Sequence, residues 1–394
     1  MKTHLNQALI FLVLMLFLSI PSLREIFKWA PMPSILVPIY LGVMGGFYVF
    51  ITNPRVVSLL ASKRSFLNIL LMIVPVVWAT TAYVLYPIAD ARIEIGLGST
   101  ANNAIIEPAM RFFSGNSMYD VILPGGVPAS PGPGWIILNS PLVISGFYWA
   151  ITAVYGIAAM VVTVWMGIPA VLTVIAFLLL SSSVIFWNLN VVGHDLVPIG
   201  LAIVSLTVLA YWVGQKEGRN RIYHVLWLAP LIALVATSRV IFLVFPVVLA
   251  ALMFKRNSVA ALILLLISTG IALILHIIFY IDSEFYQPLH VFSRGERALG
   301  LPFMAVGSVI AFAAFVWSVR KARNELIDWV RVVFLVFGIP MLLVAFGELQ
   351  AAGWDFSAWE GANYLAFVAP IAVFWAVLRI DAEAGTFGYP DTKH

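Results

Sequence analysis

Apolar residues run along this chain in blocks too long and too continuous for a soluble fold, parted by short polar stretches. The blocks fall at Leu5–Ile20, Pro33–Ile51, Phe66–Pro87, Val143–Met166, Ile168–Trp187, Leu196–Val213, Ser258–Ile281, Leu301–Val319, Val332–Leu349 and Tyr364–Leu378. Most approach the roughly 20 residues that a helix needs to cross the hydrocarbon of a bilayer. The first follows Lys2 and His4 as a secretory apolar segment would, yet no small-x-small cleavage site follows Ser19-Ile-Pro-Ser22, so it is read as a retained span. Val225–Phe254 is different. It is 30 residues long, more than one crossing needs, and Thr237-Ser-Arg239 interrupts it. One crossing would carry Lys255-Arg256 to the far side, whereas two short helices that enter, break at Ser238-Arg239 and return keep those charges on the near side.

One long polar stretch, Ser99–Pro141, stands out from the apolar blocks and is read as the core of a large outer loop, residues 88–142. Its first half predicts a short amphipathic helix, with Ile105, Ile106, Met110 and Phe113 near helical spacing and Glu107 and Arg111 on the same segment. Its second half holds Pro124, Pro128, Pro131 and Pro133 with five glycines between Gly115 and Gly134, which predicts turns and extended backbone.

Composition agrees with the pattern. Hydrophobic residues make up 62% and charged residues 10%, and mean hydropathy is +1.02, too little polar surface to clothe a soluble protein. The chain reads as a single all-α polytopic membrane domain over residues 1–394, with about 11 transmembrane helices and a split or re-entrant pair at 225–254. The absence of cysteine excludes disulfides, thiolate chemistry and Cys-based zinc sites. A net charge of +4 raises the question of nucleic acid, but the basic residues sit in short connections, where they report topology. Fifteen of the 22 Lys and Arg fall on the side of the N-terminus, which places that terminus in the cytoplasm, in a membrane read as a bacterial inner or plasma membrane. The long loop, 188–195, 282–300 and 350–363 then share the outer side.

Three separated segments resemble one family. Gly115-Asn-Ser-Met-Tyr119-Asp, followed by Pro131-Gly-Pro133-Gly and a span, resembles the first outer loop of GT-C membrane glycosyltransferases that use polyprenyl-phosphate sugars, the mannosyltransferase-like group. Gly193-His194-Asp195-Leu196 sits where that group carries a Gly-Gln-x-Asn element. Ala236-Thr-Ser-Arg239, then Phe245-Pro246 and Lys255-Arg256, is similar to its broken-helix segment, and Asn363-Tyr364 to Pro370 to its last span. The resemblance implies an integral membrane enzyme moving a hexose, mannose being commonest, from a lipid carrier to a lipid-linked or surface glycan on the outer face. Its partners would be membrane lipid, the lipid-phosphate sugar and the glycan acceptor, with no nucleic acid and with room for a membrane-protein partner. No cofactor or divalent metal is implied. The family's catalytic Asp has no counterpart, because its neighbourhood reads Ala101-Asn102-Asn103 and an amide cannot accept a proton from an attacking hydroxyl. Either the base has moved, or the chain is a non-catalytic subunit that keeps the fold.

The chemistry of such a transfer asks for one carboxylate to deprotonate the acceptor and cations to hold the departing phosphate. The candidate bases are Glu107, Glu94 and Asp90. Arg239, Arg294 and Arg297 are the candidate phosphate ligands, His194 and Asp195 would bind sugar hydroxyls, and Tyr119, Trp354 and Tyr364 would line the sugar site. Trp354 and Trp359 also fit an interfacial aromatic belt, and His276, inside a span, reads as a packing residue.

Overall fold

The computed structural model describes residues 2–93, 99–123, 126–289, 295–296 and 299–384. It is an all-α membrane protein. In chain order the helices are α1 Leu5–Trp29, α2 Pro33–Ile51, α3 Pro54–Ala61, α4 Arg64–Ala91, α5 Asn103–Phe113, α6 Pro133–Ile144, α7 Tyr148–Trp165, α8 Ala170–Ser181, α9 Val184–Val191, α10 Leu196–Gln215, α11 Gly218–Ala236, α12 Val240–Phe254, α13 Ser258–Asp282, α14 Leu301–Lys321, α15 Leu326–Ala351 and α16 Ala362–Ala384. Among the described residues nine helices are long and apolar enough to cross a membrane, or ten if the bent pair α8–α9 makes one span. A two-residue ladder, Ile122–Leu123 against Val127–Pro128, is the one piece of sheet among them.

Three boundaries differ from the sequence reading, each for a local reason. The first span does not stop at Ile20 but continues to Trp29, because a π-helical segment at Met15–Ser19 lets Pro21 enter as the start of a fresh helical turn, where its missing N–H is harmless. The run Ile168–Trp187 is divided between two helices, α8 and α9. It bends by 82° at Ser182-Ser183, where serine hydroxyls take up backbone carbonyls that the turn would otherwise strand: Ser181 bonds Phe177 O at 2.8 Å, Ser182 bonds Leu179 O at 2.6 Å, and Ser183 reaches Leu18 O on α1 at 3.0 Å. Finally, the second half of the long loop is helical from Pro133 onward, so the next span begins at Tyr148 rather than Val143. Pro133 is a first-turn proline and opens the helix instead of forbidding it.

The break in the 225–254 segment is where the sequence places it. Helix α11 ends at Ala236, Thr237-Ser-Arg239 is non-helical, and α12 resumes at Val240. The two feet of this pair lie together. Arg221, in the first turn of α11, donates to Lys216 O just before it. At the far end of α12, Lys255 donates to Ala322 O at 2.9 Å, and Arg256 donates to Asn324 O at 2.6 Å while its guanidinium covers the Tyr211 ring near the end of α10. The tip meets Asp195 at the opposite end of α10. The pair is therefore a hairpin standing beside the 20 residues of α10, about 30 Å of helix. Helix α13 packs along both arms and returns the chain to the tip end, where Ser117 bonds Asp282 at 2.7 Å and Ser283 bonds Asp120 at 2.5 Å.

A chain without native cysteine makes this geometry testable. Single cysteines at the exposed positions Glu217 and Ser258 flank the hairpin, and both are expected to react with an impermeant maleimide from one and the same side of the membrane, while a cysteine at exposed Asn116 reacts only from the other. Labelling of Glu217 and Ser258 from opposite faces would mean that the segment crosses once.

Candidate functional site

At the tip end, the Pro131-Gly-Pro-Gly turn and the broken helix close on each other so tightly that neither glycine tolerates a side chain. A Cβ at Gly132 would fall 1.8 Å from Thr237 O, and one at Gly134 would fall 2.6 Å from Thr237 Oγ1. The approach lets polar backbone groups freed by the break find partners. Gly132 N donates to Ser238 O at 3.3 Å, and Trp135 N donates to the Thr237 hydroxyl at 2.9 Å. Tyr119, fully buried, holds the turn from the other side by donating its hydroxyl to Pro131 O at 2.7 Å.

This interlock presents Arg239 to Asp195. The guanidinium straddles the carboxylate, Nη1 to Oδ2 and Nη2 to Oδ1, both at 3.1 Å, the planar two-point geometry that suits this pair. Trp135 Nε1 donates to the same Oδ2 at 3.0 Å, and His194 Nδ1 stands 3.2 Å from Oδ1. Asp195 is 1% exposed. Burial pushes its carboxyl up, but the Arg239 charge and the hydrogen bonds from His194 and Arg239 outweigh that and hold it well below the usual carboxylate range. A depressed carboxyl contributes stability that is whole at neutral pH and is lost progressively as the pH falls through and below the usual carboxylate range.

Around the pair lies a shell that sequence reasoning did not assign. Gly193 fits against Tyr86, Tyr148 and Asn102. Asn102 Nδ2 donates at 2.8 Å to both the Tyr86 hydroxyl and Asp90 Oδ1. Beneath Tyr119, the Tyr286 ring stacks at 4.1 Å, and its hydroxyl meets His276 Nδ1 at 2.5 Å, while His276 Nε2 is buried without a partner. Burial raises both phenols, Tyr119 and Tyr286, so both stay neutral hydrogen-bonding groups. The signals for Trp135 and Asn102 were present, one following Pro-Gly-Pro-Gly and the other lying in the Ala101-Asn102-Asn103 stretch singled out from the sequence. Tyr148 and Tyr286 had none, and His276, read as a packing residue, is buried and bonded to Tyr286.

Of the candidates drawn from sequence, Tyr119, His194, Asp195 and Arg239 come together here, and Asp90 reaches the same shell through Asn102. Glu107 is exposed on α5, whose Ala104, Ile105, Pro108 and Ala109 are buried; Met110 and Phe113, expected on its apolar stripe, are exposed. Trp354 stands in the connection between α15 and α16, and Tyr364 in the first turn of α16. Trp354 is 62% exposed, and Tyr364 packs partly buried against the core. Trp359 is neither belt nor platform: it is fully buried and donates to Ala345 O at 2.6 Å. Glu94, Arg294 and Arg297 lie outside the described residues. Among the described residues no three His, Asp or Glu gather as metal ligands would. No family model, curated protein or solved structure matches the chain.

Two outcomes test the site's construction. Gly132→Ala is expected to abolish the folded protein, read as loss of the monodisperse peak in detergent, because backbone, not a flexible side chain, occupies the Cβ position. For the ion pair, Asp195→Leu and Arg239→Met each leave a charge buried alone, a loss of about 3–5 kcal/mol, while the double substitution is close to neutral. Thermal unfolding that finds the double variant as unstable as the sum of the singles would show that the pair does not join the two segments.

Proposed function

We propose that the chain is a membrane glycosyltransferase that moves a hexose from a polyprenyl-phosphate carrier to a lipid-linked or surface glycan on the outer face. The observation that carries this reading is the convergence of three sequence-remote segments, Tyr119 to Trp135, Gly193 to Asp195 and Thr237 to Arg239, on one ion pair. In the reaction the acceptor oxygen bonds the anomeric carbon as the carbon–phosphate oxygen bond breaks. The proton passes to a carboxylate, and the phosphate leaves as an anion that needs a cation and no acid.

Arg239 is the cation at the centre of the cluster, and it is 15% exposed at the side chain. Asp195 holds its fork, so an arriving phosphate competes for the same two donors. For the base, the geometry favours Asp90 over Glu107. Asp90 is exposed at the end of α4 and tied to the cluster by Asn102, whereas Glu107 projects from the exposed side of α5. The non-catalytic reading rests on a specific observation too: both terminal nitrogens of Arg239 are already engaged by Asp195.

Transfer in proteoliposomes from a polyprenyl-phosphate mannose separates the two. Asp90→Asn is expected to lower turnover by at least about 10²-fold, the weight of a lost general base, with Glu107→Gln close to the unaltered chain. If the unaltered chain transfers nothing while remaining folded, the non-catalytic reading replaces this one.

A further inference from the structure

A second feature of the outer end lies on the other side of α4. Between α1, α4 and α9 is an open groove of about 500 Å³ lined by Glu25, Ile26, Trp29, Leu85, Val184 and Val191 among others, a volume in the range of ligand sites. Its lining is overwhelmingly apolar, and Leu85 and Trp29, 40% and 51% exposed, open it sideways. A groove of that character at the end of two membrane helices faces lipid rather than water.

Charge sits at one rim. Lys28 Nζ lies 5.0 Å from the centre of the Trp29 ring, and the Arg92 guanidinium lies 5.5 Å from it. Both are exposed, and among the described residues neither forms an ion pair. The groove's own carboxylate is already satisfied: Glu25 accepts from Arg24 at 2.6 Å and from Trp29 Nε1 at 3.0 Å. Asp90, two residues before Arg92, is turned to Asn102. Both cations border the same indole, so an anion held at that rim gains from two positive charges. They also stand on the side that the charge distribution otherwise keeps poor in cations, so topology does not account for them.

We propose that this groove binds an anionic phospholipid of the outer leaflet, with one acyl chain lying along Ile26, Leu85, Val184 and Val191 and the headgroup phosphate at the Trp29 rim that Lys28 and Arg92 border. The occupant is a bilayer lipid and not the sugar carrier, because the groove opens laterally and stands apart from the Arg239–Asp195 pair. This assignment is independent of the transferase reading.

Native mass spectrometry of protein released from nanodiscs of equal phosphatidylglycerol and phosphatidylcholine tests it. The unaltered chain is expected to retain phosphatidylglycerol preferentially. Lys28→Gln with Arg92→Gln, both exposed and so harmless to folding, should lower that preference by about fivefold for each cation removed. Leu85→Trp, which fills the groove, should remove the bound lipid of either kind. A preference unchanged in the double variant, lipid still bound in the Leu85 variant, or displacement of phosphatidylglycerol by an equimolar polyprenyl phosphate would each overturn the proposal.

Discussion

A carboxylate buried at the start of α10 has to be answered by a positive charge, and that requirement organises this end of the molecule. Asp195 is enclosed, and in surroundings of low dielectric an unanswered carboxylate would cost several kcal/mol. The answering charge comes from a residue 44 positions away, which can reach it only because α11 stops at Ala236. Had the helix continued, Arg239 would lie one turn further along the same cylinder, and its backbone would be bonded within the helix. The break in turn frees the groups around Thr237 and Ser238 that the Pro-Gly-Pro-Gly turn takes up. The ion pair, the broken helix and the two glycines thus meet at one place and constrain one another.

That dependence explains which parts could be read in advance. Spans were legible because a run of apolar side chains is a local property, and Pro33–Ile51 agrees to the residue. The hairpin was legible for a less direct reason. Thirty apolar residues with an arginine among them leave few arrangements that respect both hydrocarbon thickness and the side of Lys255-Arg256. The bend at Ser182-Ser183 was not legible, because serine within an apolar run reads as a tolerated helix residue until its hydroxyl is seen turned on a carbonyl of α1. Helix α6 was missed for the opposite reason. Proline and glycine density argues for turns, and that signal cannot distinguish a proline that ends a helix from one that begins it.

The site divides the same way. Arg239 declared itself as a charge in an apolar segment, and His194-Asp195 as a polar pair opening one. Nothing local said that Arg239 and Asp195 belong to each other, and pairing changes what each can do. Considered separately, Arg239 is a free phosphate ligand and Asp195 a hydroxyl acceptor. Joined, they are a neutral unit whose first property is structural, and any anion recognised there displaces a carboxylate that the fold itself provides. Substitution of one partner therefore perturbs folding and recognition at once.

The same reasoning bears on why the two polar localities at this end remain distinct. Helix α4 separates them. One side, through Tyr86 and Asp90, faces Asn102 and the Gly193 turn; the other, through Thr81 and Leu85, lines the apolar groove beside Trp29. Residues four apart share a face of a helix, and neighbours one apart do not. Leu85 and Tyr86 accordingly point to different surroundings, one lipid-like and one hydrogen-bonded. A helix used on both sides cannot rotate to improve one contact without degrading the other. The Trp78 indole, bonded at 2.8 Å to Ser181 at the bend between α8 and α9 and stacked on Phe177, holds α4 in that rotation. The bend, which sequence reading passed over, thereby fixes the orientation of Asp90 toward the ion-pair cluster and of Leu85 toward the groove.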